Sequence, residues 1–388
     1  MRRIKAVNIS KMLLIGIFFL FLFAPPIKTM LTPRSKWSYQ EKRLLAELPE
    51  LRFKWEIMTE YPKQYEAYYN DHFGFRQWLI QRYNRYMKRI FGGRYINPKV
   101  LSGDDGWMFF TVNGLMDSYL GQNRLTESEL EILRSNLENK TEWLARKGIR
   151  YLFVVAPDKQ SIYPEYLPQD IQKHSGKTRF DQLIEHMQQR SSVDFLDLRP
   201  LLLQAKIRQQ VYYRTDAHWN VDGVVVAYHD IMERVREMFP EALLPVVSSV
   251  EQRRVYAPKG DLANIVQLEE HLAEKIMVPD VPERCAQPLQ IELQGVSADH
   301  AFQCKNAELR VVMFVDSFAL ALEALFSESF RELLVVWRPY DHGLMIQLID
   351  RFKPQLVIEE MAERYLDRVR PPEQSIVADP VGISSGSQ

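Results

Sequence analysis

The sequence predicts an α/β protein with a parallel central sheet, carried behind a single apolar N-terminal segment. Three observations lead there. Short apolar runs at Tyr151–Ala156, Arg310–Val315, Leu333–Trp337 and Gln355–Ile358 alternate with stretches whose apolar residues recur at helical spacing. The runs are mostly continuous rather than alternating, as expected of strands covered on both faces. Ahead of them, Met12–Ala24 is uncharged and almost wholly apolar, with Arg2, Arg3, Lys5 and Lys11 on its N-terminal side.

Composition narrows the function classes. A chain of 388 residues, 46% hydrophobic and 12% aromatic, has enough apolar mass for a buried core, which excludes a mainly disordered chain. Its 50 Lys+Arg and 50 Asp+Glu leave a formal net charge of zero, so nucleic acid is not expected as the main partner. With 2 cysteines there is no cysteine-rich zinc module.

The segment 1–28 reads as a signal-anchor. Ala6 to Ile27 reaches the length of a membrane span, with Lys11 snorkelling to the interface. Pro25-Pro26 is expected to end it. The sequence APPIKTM lacks a small-x-small cleavage site, which favours an uncleaved anchor over a cleaved signal. The basic flank keeps that end cytoplasmic and exports the rest. Cys285 and Cys304 are then in an oxidising compartment, where a disulfide between them is expected and two separate buried thiols are the alternative.

Residues 29–100 form an aromatic, basic segment. After Gly74, the residues Trp78, Ile80, Tyr83, Met87 and Ile90 predict a helix whose charged face is solvated. A helix lying against anionic headgroups is the alternative. Residues 101–370 carry the α/β pattern. Asp104-Asp105-Gly106 predicts a turn into a strand, and Thr126-Glu127-Ser128-Glu129 is a capping box before Leu130, Leu133, Leu137 and Leu144. Gly148 closes that helix. Phe180, Leu183, Ile184 and Met187 mark a second helix, Val193–Leu198 a strand, and Val224, Tyr228, Ile231 and Val235 a third helix with Asn220 as its N-cap. A helix begins near Phe318, and another ends near Phe352 at Pro354. Residues 240–305 interrupt the alternation as an insertion, and 371–388 read as a flexible tail.

Two stretches carry chemistry. In Thr215-Asp216-Ala217-His218-Trp219-Asn220, the carboxylate and imidazole are two residues apart, so an extended backbone puts them on one side. Asp216 then fixes the tautomer of His218. A metal set of Asp216, His218 and Asp222 is the weaker alternative, because no cysteine or second nearby histidine completes it; no metal or cofactor is expected. In Val315-Asp316-Ser317-Phe318, the serine follows a buried strand and precedes a helix, at the sheet edge where such folds bind ligands. The helix start is expected to offer N–H groups to an oxyanion. Together the stretches supply nucleophile, base and orienting acid.

Asp316-Ser317-Phe318 resembles the GDS(F/L) block of SGNH-type hydrolases, with Val315 in place of glycine. Asp216-x-His218-Trp219 ahead of the serine resembles the permuted order of the alginate O-acetyltransferase family, AlgJ and AlgX type. Further similar stretches are Asn70–Arg76, Gly103–Trp107, Ala156–Lys159, Tyr163–Glu165 and Gly260–Ala263. The resemblance implies a three-layer α/β/α domain and an O-acetyltransferase acting on an exported polysaccharide through acetyl-Ser317. It implies a single-pass inner-membrane protein facing the periplasm, with a membrane-bound O-acyltransferase partner supplying acetyl groups. An esterase with the same residues and a non-catalytic envelope protein that binds polysaccharide are the alternatives. Trp219, Lys159 and Tyr340 are the candidate substrate contacts.

Overall fold

The structure, a computed structural model, describes residues 2–32, 35–38, 43–50, 55–90, 95–112, 114–172, 176–254, 260–267, 273–282, 284–291 and 300–368. The expected tail at 371–388 lies outside the described residues. The chain divides into two compact units, Met1–Asn97 with Asn264–Leu268, and Pro98–Ala263 with Glu269–Gln388. Residues 264–268, inside the expected insertion at 240–305, belong to the first unit.

The first unit contains helices α1 (Arg2–Leu31), α2 (Trp55–His72) and α3 (Arg76–Ile90). Within α1, the 23 residues Ile9–Leu31 are long and apolar enough to cross a membrane, and none is buried against protein. Pro25 and Pro26 do not end the helix as expected; they lie inside it. The hydroxyls of Thr29 and Thr32 donate to the carbonyls of Pro25 (2.9 Å) and Lys28 (2.7 Å), adding side-chain bonds to the last turns.

The second unit is built on seven strands: β1 (Arg150–Ala156), β2 (Phe195–Asp197), β3 (Gln287–Pro288), β4 (Ala301–Gln303), β5 (Arg310–Phe314), β6 (Glu332–Val336) and β7 (Leu356–Ala362). Their order is β3-β4-β6-β5-β7-β1-β2. The five strands from β6 to β2 are parallel, with Phe314 beside Val336 and Ala362 beside Ala156 at their carboxyl ends. The sheet is mixed rather than wholly parallel, because β4 pairs antiparallel with β6, and β3 with β4. These two short strands come from the end of the insertion, beside the Cys285–Cys304 disulfide, whose Cα atoms are 5.2 Å apart.

Residue alternation on the strands makes three layers. Leu152, Val154, Val311, Met313 and Ile358 face one side, against Val224, Tyr228, Ile231 and Val235 of α6. Tyr151, Phe153, Val312, Phe314 and Val357 face the other. There they meet Leu130, Leu133 and Leu137 of α4, Leu183 and Met187 of α5, and Leu344 and Leu348 of α7. The ranges are α4 (Glu127–Ala145), α5 (Arg179–Arg190), α6 (Val221–Met238) and α7 (His342–Phe352). The helix starts follow local chemistry. Thr126 and Glu129 form the reciprocal capping box, and Asn220 Oδ1 accepts the Gly223 N–H at 3.0 Å. Gly148, at φ +74°, ends the first turn after α4 in the left-handed region.

The disulfide closes the loop that carries β3 and β4, and Glu328 Oε2 accepts the N–H groups of Cys285 (2.6 Å) and Ala286 (3.1 Å) at its base. Replacing both cysteines by serine is expected to lower unfolding free energy by about 3 kcal/mol, from the loop-closure entropy of the unfolded chain. Urea denaturation of the two proteins under non-reducing conditions checks it, and equal midpoints would refute it.

Candidate active site

β5, β7 and β1 end side by side, and the polar residues that follow them meet at that edge. After β5 the chain turns through Val315 and Asp316 into a 3-10 helix, Ser317–Leu320, followed by a short α-helix, Glu323–Phe326, where the sequence predicts a helix beginning near Phe318. Asp316 fixes this turn with both carboxylate oxygens. Oδ1 accepts the Phe318 N–H at 2.9 Å, and Oδ2 accepts the Ala362 N–H at the end of β7 at 2.7 Å. Its own N–H donates to Glu360 Oε2 at 3.2 Å. Burial, with the Asp316 charge behind it, pushes the Glu360 carboxyl well above the usual range. Two consequences follow. Phe318 N–H is taken and offers nothing to an oxyanion, whereas no hydrogen bond occupies the N–H of Ser317 among the described residues. Val315 does not have a positive φ, so its backbone does not call for the glycine that the GDS block has there.

Ser317 is exposed, and its Oγ lies 2.9 Å from His218 Nε2. His218 Nδ1 lies 2.7 Å from Asp216 Oδ1, which also accepts the His218 N–H at 2.9 Å. The structure thus brings Ser317, His218 and Asp216 into one hydrogen-bonded line. The loop carrying the last two is pinched into shape by the antiparallel bridge of Tyr212 with Trp219 and by Asn220 N–H donating to Val211 O at 3.1 Å.

The three candidate substrate contacts have other places. Trp219 is 3% exposed, and its Nε1–H donates to Phe318 O at 3.1 Å, tying the serine turn to the histidine loop. Lys159 is buried too. Its Nζ donates to the carbonyls of Tyr213 (2.9 Å), Arg214 (3.1 Å) and Asp216 (2.6 Å), so it secures the loop from beneath. Burial pulls this ammonium down to about 7, against the upward pull of Asp216, Asp261 and Glu274. Tyr340 packs on Phe314 (5.1 Å between rings) with Lys140 Nζ 4.8 Å above its ring, and none of these contacts is with the triad. Trp219 and Lys159 are thus buried as packing and positioning residues, while Tyr340 is half-buried.

One residue at the site was not singled out from the sequence. Asp261 Oδ1 accepts the Ala217 N–H at 2.7 Å, its N–H donates to Asp216 Oδ2 at 2.6 Å, and its Oδ2 lies 3.8 Å from His218 Nδ1. Gly260 makes this approach possible, since a Cβ there would stand 2.4 Å from Thr215 O and 2.8 Å from Asp216 Cβ. Sequence signal existed in the Gly260–Ala263 stretch, without a partner to assign it to. Asp216, His218 and Asp261 offer ligand atoms within 4.8 Å of one another, but the Asp216 oxygens already accept N–H groups, and Asp222 of the metal alternative lies in the first turn of α6, outside this group.

The electrostatics suit an acid–base pair. Burial favours the neutral imidazole of His218, yet the Asp216 charge, the Asp216 hydrogen bond and Asp261 outweigh it and raise the pKa. Burial likewise works against the Asp216 carboxylate, and His218 with the backbone N–H donors holds it well below the usual range. A hydroxyl at hydrogen-bond distance from an imidazole that is itself held by a carboxylate can be deprotonated as it attacks a carbonyl carbon.

This fold and this line of residues are those of an SGNH hydrolase-like α/β domain. The chain belongs to the family described as "SGNH hydrolase-like domain, acetyltransferase AlgX", which it matches over residues 100–363. Among curated relatives, it is similar to the probable alginate O-acetylase AlgJ of Pseudomonas putida, 27% identical over 288 residues, covering 69% of this chain and 70% of that protein. The corresponding protein of Pseudomonas fluorescens is 24% identical over 374 residues, covering 92% and 87%. Among solved structures, it is similar to the O-acetyltransferase domain of Pseudomonas putida AlgJ (TM-score 0.47, 20% identity, 71% of this chain and 94% of that one). Bacillus cereus PatB1 gives a TM-score of 0.48 at 16% identity, over 69% and 97%.

Neutral His218 is the form that accepts a proton, so activity on an acetyl ester is expected to rise with pH through a midpoint above the ordinary imidazole value of about 6.5. Asp261→Asn removes one of the charges that raise it and keeps the Ala217 contact; the midpoint should move to lower pH. A kcat/KM profile that the substitution leaves in place would show that Asp261 does not act on His218.

Proposed function

We propose that this protein is an O-acetyltransferase that acetylates hydroxyl groups of an exported polysaccharide. The observation that carries the proposal is the relay of 2.9 Å and 2.7 Å from Ser317 through His218 to Asp216, in a chain belonging to an acetyltransferase family. Relatives named as alginate O-acetylases support the substrate class, with alginate as the first polymer to try.

In the first half-reaction, Ser317 Oγ bonds to the acetyl carbonyl carbon while His218 Nε2 takes its proton. Asp216 stabilises the imidazolium through Nδ1–H. The Ser317 N–H is the donor placed to meet the developing oxyanion. The tetrahedral adduct collapses, the leaving group departs with the proton from His218, and Ser317 carries the acetyl ester. In the second, a sugar hydroxyl loses its proton to His218 as its oxygen attacks, and Ser317 leaves with that proton. The donor acetyl group is delivered from the cytoplasmic side by a membrane-bound O-acyltransferase partner. Helix α1 anchors the chain in a bacterial inner membrane, with Pro98 onwards in the periplasm.

Incubation with an acetyl ester donor and alginate oligomers should give acetylated oligomer in excess of free acetate. Ser317→Ala, His218→Ala and Asp216→Ala should each lose at least about a thousandfold in rate, and double variants should lose little more, because the three act as a unit. Free acetate as the sole product with alginate and other envelope-type oligosaccharides would establish an esterase instead, since Ser317 is open to water. Unchanged transfer in Ser317→Ala would refute the nucleophile.

For the topology, alkaline phosphatase fused after residue 100 should be active in whole bacteria, because the basic flank of α1 stays inside. An inactive phosphatase with an active cytoplasmic reporter at the same position would reverse the orientation.

A further inference from the structure

Helix α3 (Arg76–Ile90) turns an apolar face to water. At about 100° per residue, Trp78, Leu79, Tyr83, Tyr86 and Ile90 share an arc of about 140°, and all five are exposed, Tyr83 by 59% and Tyr86 by 62%. The opposite side is the packed one. Asn84 is buried there, and its Nδ2–H donates to Val266 O at 3.2 Å. Of the stripe expected from the sequence, Ile80 and Met87 are half-buried, whereas Trp78, Tyr83 and Ile90 point outward. A surface helix of a soluble domain shows the reverse, and a contiguous exposed apolar face marks an interaction surface.

Charge, residue type and position identify what meets this face. Helix α3 carries five Lys or Arg and no Asp or Glu, and no acidic residue occurs from His72 to Gly103. Arg82 lies at the margin of the aromatic arc, its guanidinium carbon 5.3 Å from the centre of the Trp78 ring. Tryptophan and tyrosine suit the depth where a bilayer changes from hydrocarbon to headgroup, and arginine suits the phosphates just above. The turn that leads into α3 is already at that level. A Cβ at Gly74 would stand 2.6 Å from Lys28 Cβ and 2.7 Å from Pro25 O and Thr29 N, so the turn meets the last turns of α1 backbone to backbone. Ala24, Pro25, Pro26 and Thr29 are the half-buried residues of α1 among those described, and the rest of its apolar run is bare. The 23 residues of that run reach about 35 Å at about 1.5 Å each, against about 30 Å of hydrocarbon, which puts Lys28 and Thr29 among the headgroups.

We propose that the exposed face of α3 lies on the membrane surface at the C-terminal end of α1, with its aromatic side chains at the hydrocarbon boundary and its arginines on the phosphates of anionic phospholipids. The chain then holds the membrane twice, by a span and by an interfacial helix. The proposal rests on the reading of α1 as an anchor and not on the chemistry at Ser317. A protein with an acidic surface is the competing occupant.

The test places nitroxide labels on the full chain in lipid nanodiscs, made of phosphatidylethanolamine with phosphatidylglycerol or of phosphatidylcholine alone. Leu79→Cys and Tyr86→Cys carry the label in α3. Ile207→Cys, at a residue 81% exposed in the second unit, is the aqueous reference. The Cys285–Cys304 disulfide is left unreduced, and thermal unfolding checks each labelled protein. Co-elution with the discs reports the anchor, and collision with a water-soluble nickel chelate reports the contact of α3. The expected result is co-elution of all three, with accessibility at 79 and 86 at least about fivefold below that at 207 in phosphatidylglycerol discs and a contrast at least halved in phosphatidylcholine. Equal accessibility at the three positions overturns the contact while leaving the anchor. Equal protection in both lipids overturns the assignment to anionic phospholipid. Protection found in native membrane fragments but not in discs gives the face to a protein partner and overturns the proposal too. A chain that does not enter the discs overturns anchor and contact together, and none of these results alters the acetyl-transfer reading.

Discussion

The Asp216 carboxylate is the interaction on which the site depends. Oδ1 accepts both the backbone and the ring N–H of His218, and Oδ2 accepts the N–H of Asp261. Its carbonyl receives the Lys159 ammonium from below. One residue thus orients the imidazole, closes its own loop and docks the Gly260–Ala263 segment. Burial raises the cost of its charge, and charge-assisted hydrogen bonds offset that cost. Removing any partner leaves a buried charge incompletely satisfied, so the loop, the docking segment and the imidazole are coupled energetically.

The same logic governs the rest of the carboxyl edge. Asp316 braces the serine turn against β7, and its N–H is received by the buried Glu360. Glu363 accepts the Asp158 N–H at 3.0 Å and the Ser161 hydroxyl at 2.7 Å, and burial with the adjacent Asp158 charge lifts it to about 7. Parallel strands end together, so every connection leaving that edge can place a polar group beside its neighbours. The apolar layers on both faces fix the strands, and the strands fix these groups to within hydrogen-bond tolerance. Rigidity below and polarity above are consequently parts of one arrangement.

Trp219 shows how packing fixes the geometry of the site. Its indole N–H donates to Phe318 O, and its ring meets Phe318 edge-on at 5.1 Å. Phe318 also lies 4.9 Å from the His218 ring. The Ser317 turn and the His218 loop, 99 residues apart in the chain, are held together by these ring contacts and two hydrogen bonds. The aromatic cluster helps hold Ser317 Oγ at 2.9 Å from the imidazole.

The sequence by itself determined what depends on near neighbours: the strand runs and helix stripes, the capping box at Thr126 and the N-cap at Asn220, and the Asp-x-His spacing that aligns carboxylate and imidazole. Those signals are local because hydrogen bonds within a turn and side-chain alternation need only a few residues. Tertiary structure decided the rest. β3 and β4 are too short to be distinguished by periodicity, so the antiparallel edge came only with strand pairing. The turn at Ser317 is braced by Asp316, which bonds across to Ala362, 46 residues later. Lys159 became a support of the loop, and Asp261 a second carboxylate at His218, through contacts 57 and 44–45 residues apart in the chain. A residue type records what a side chain can bond to; which partner it meets is settled only when distant strands close the sheet.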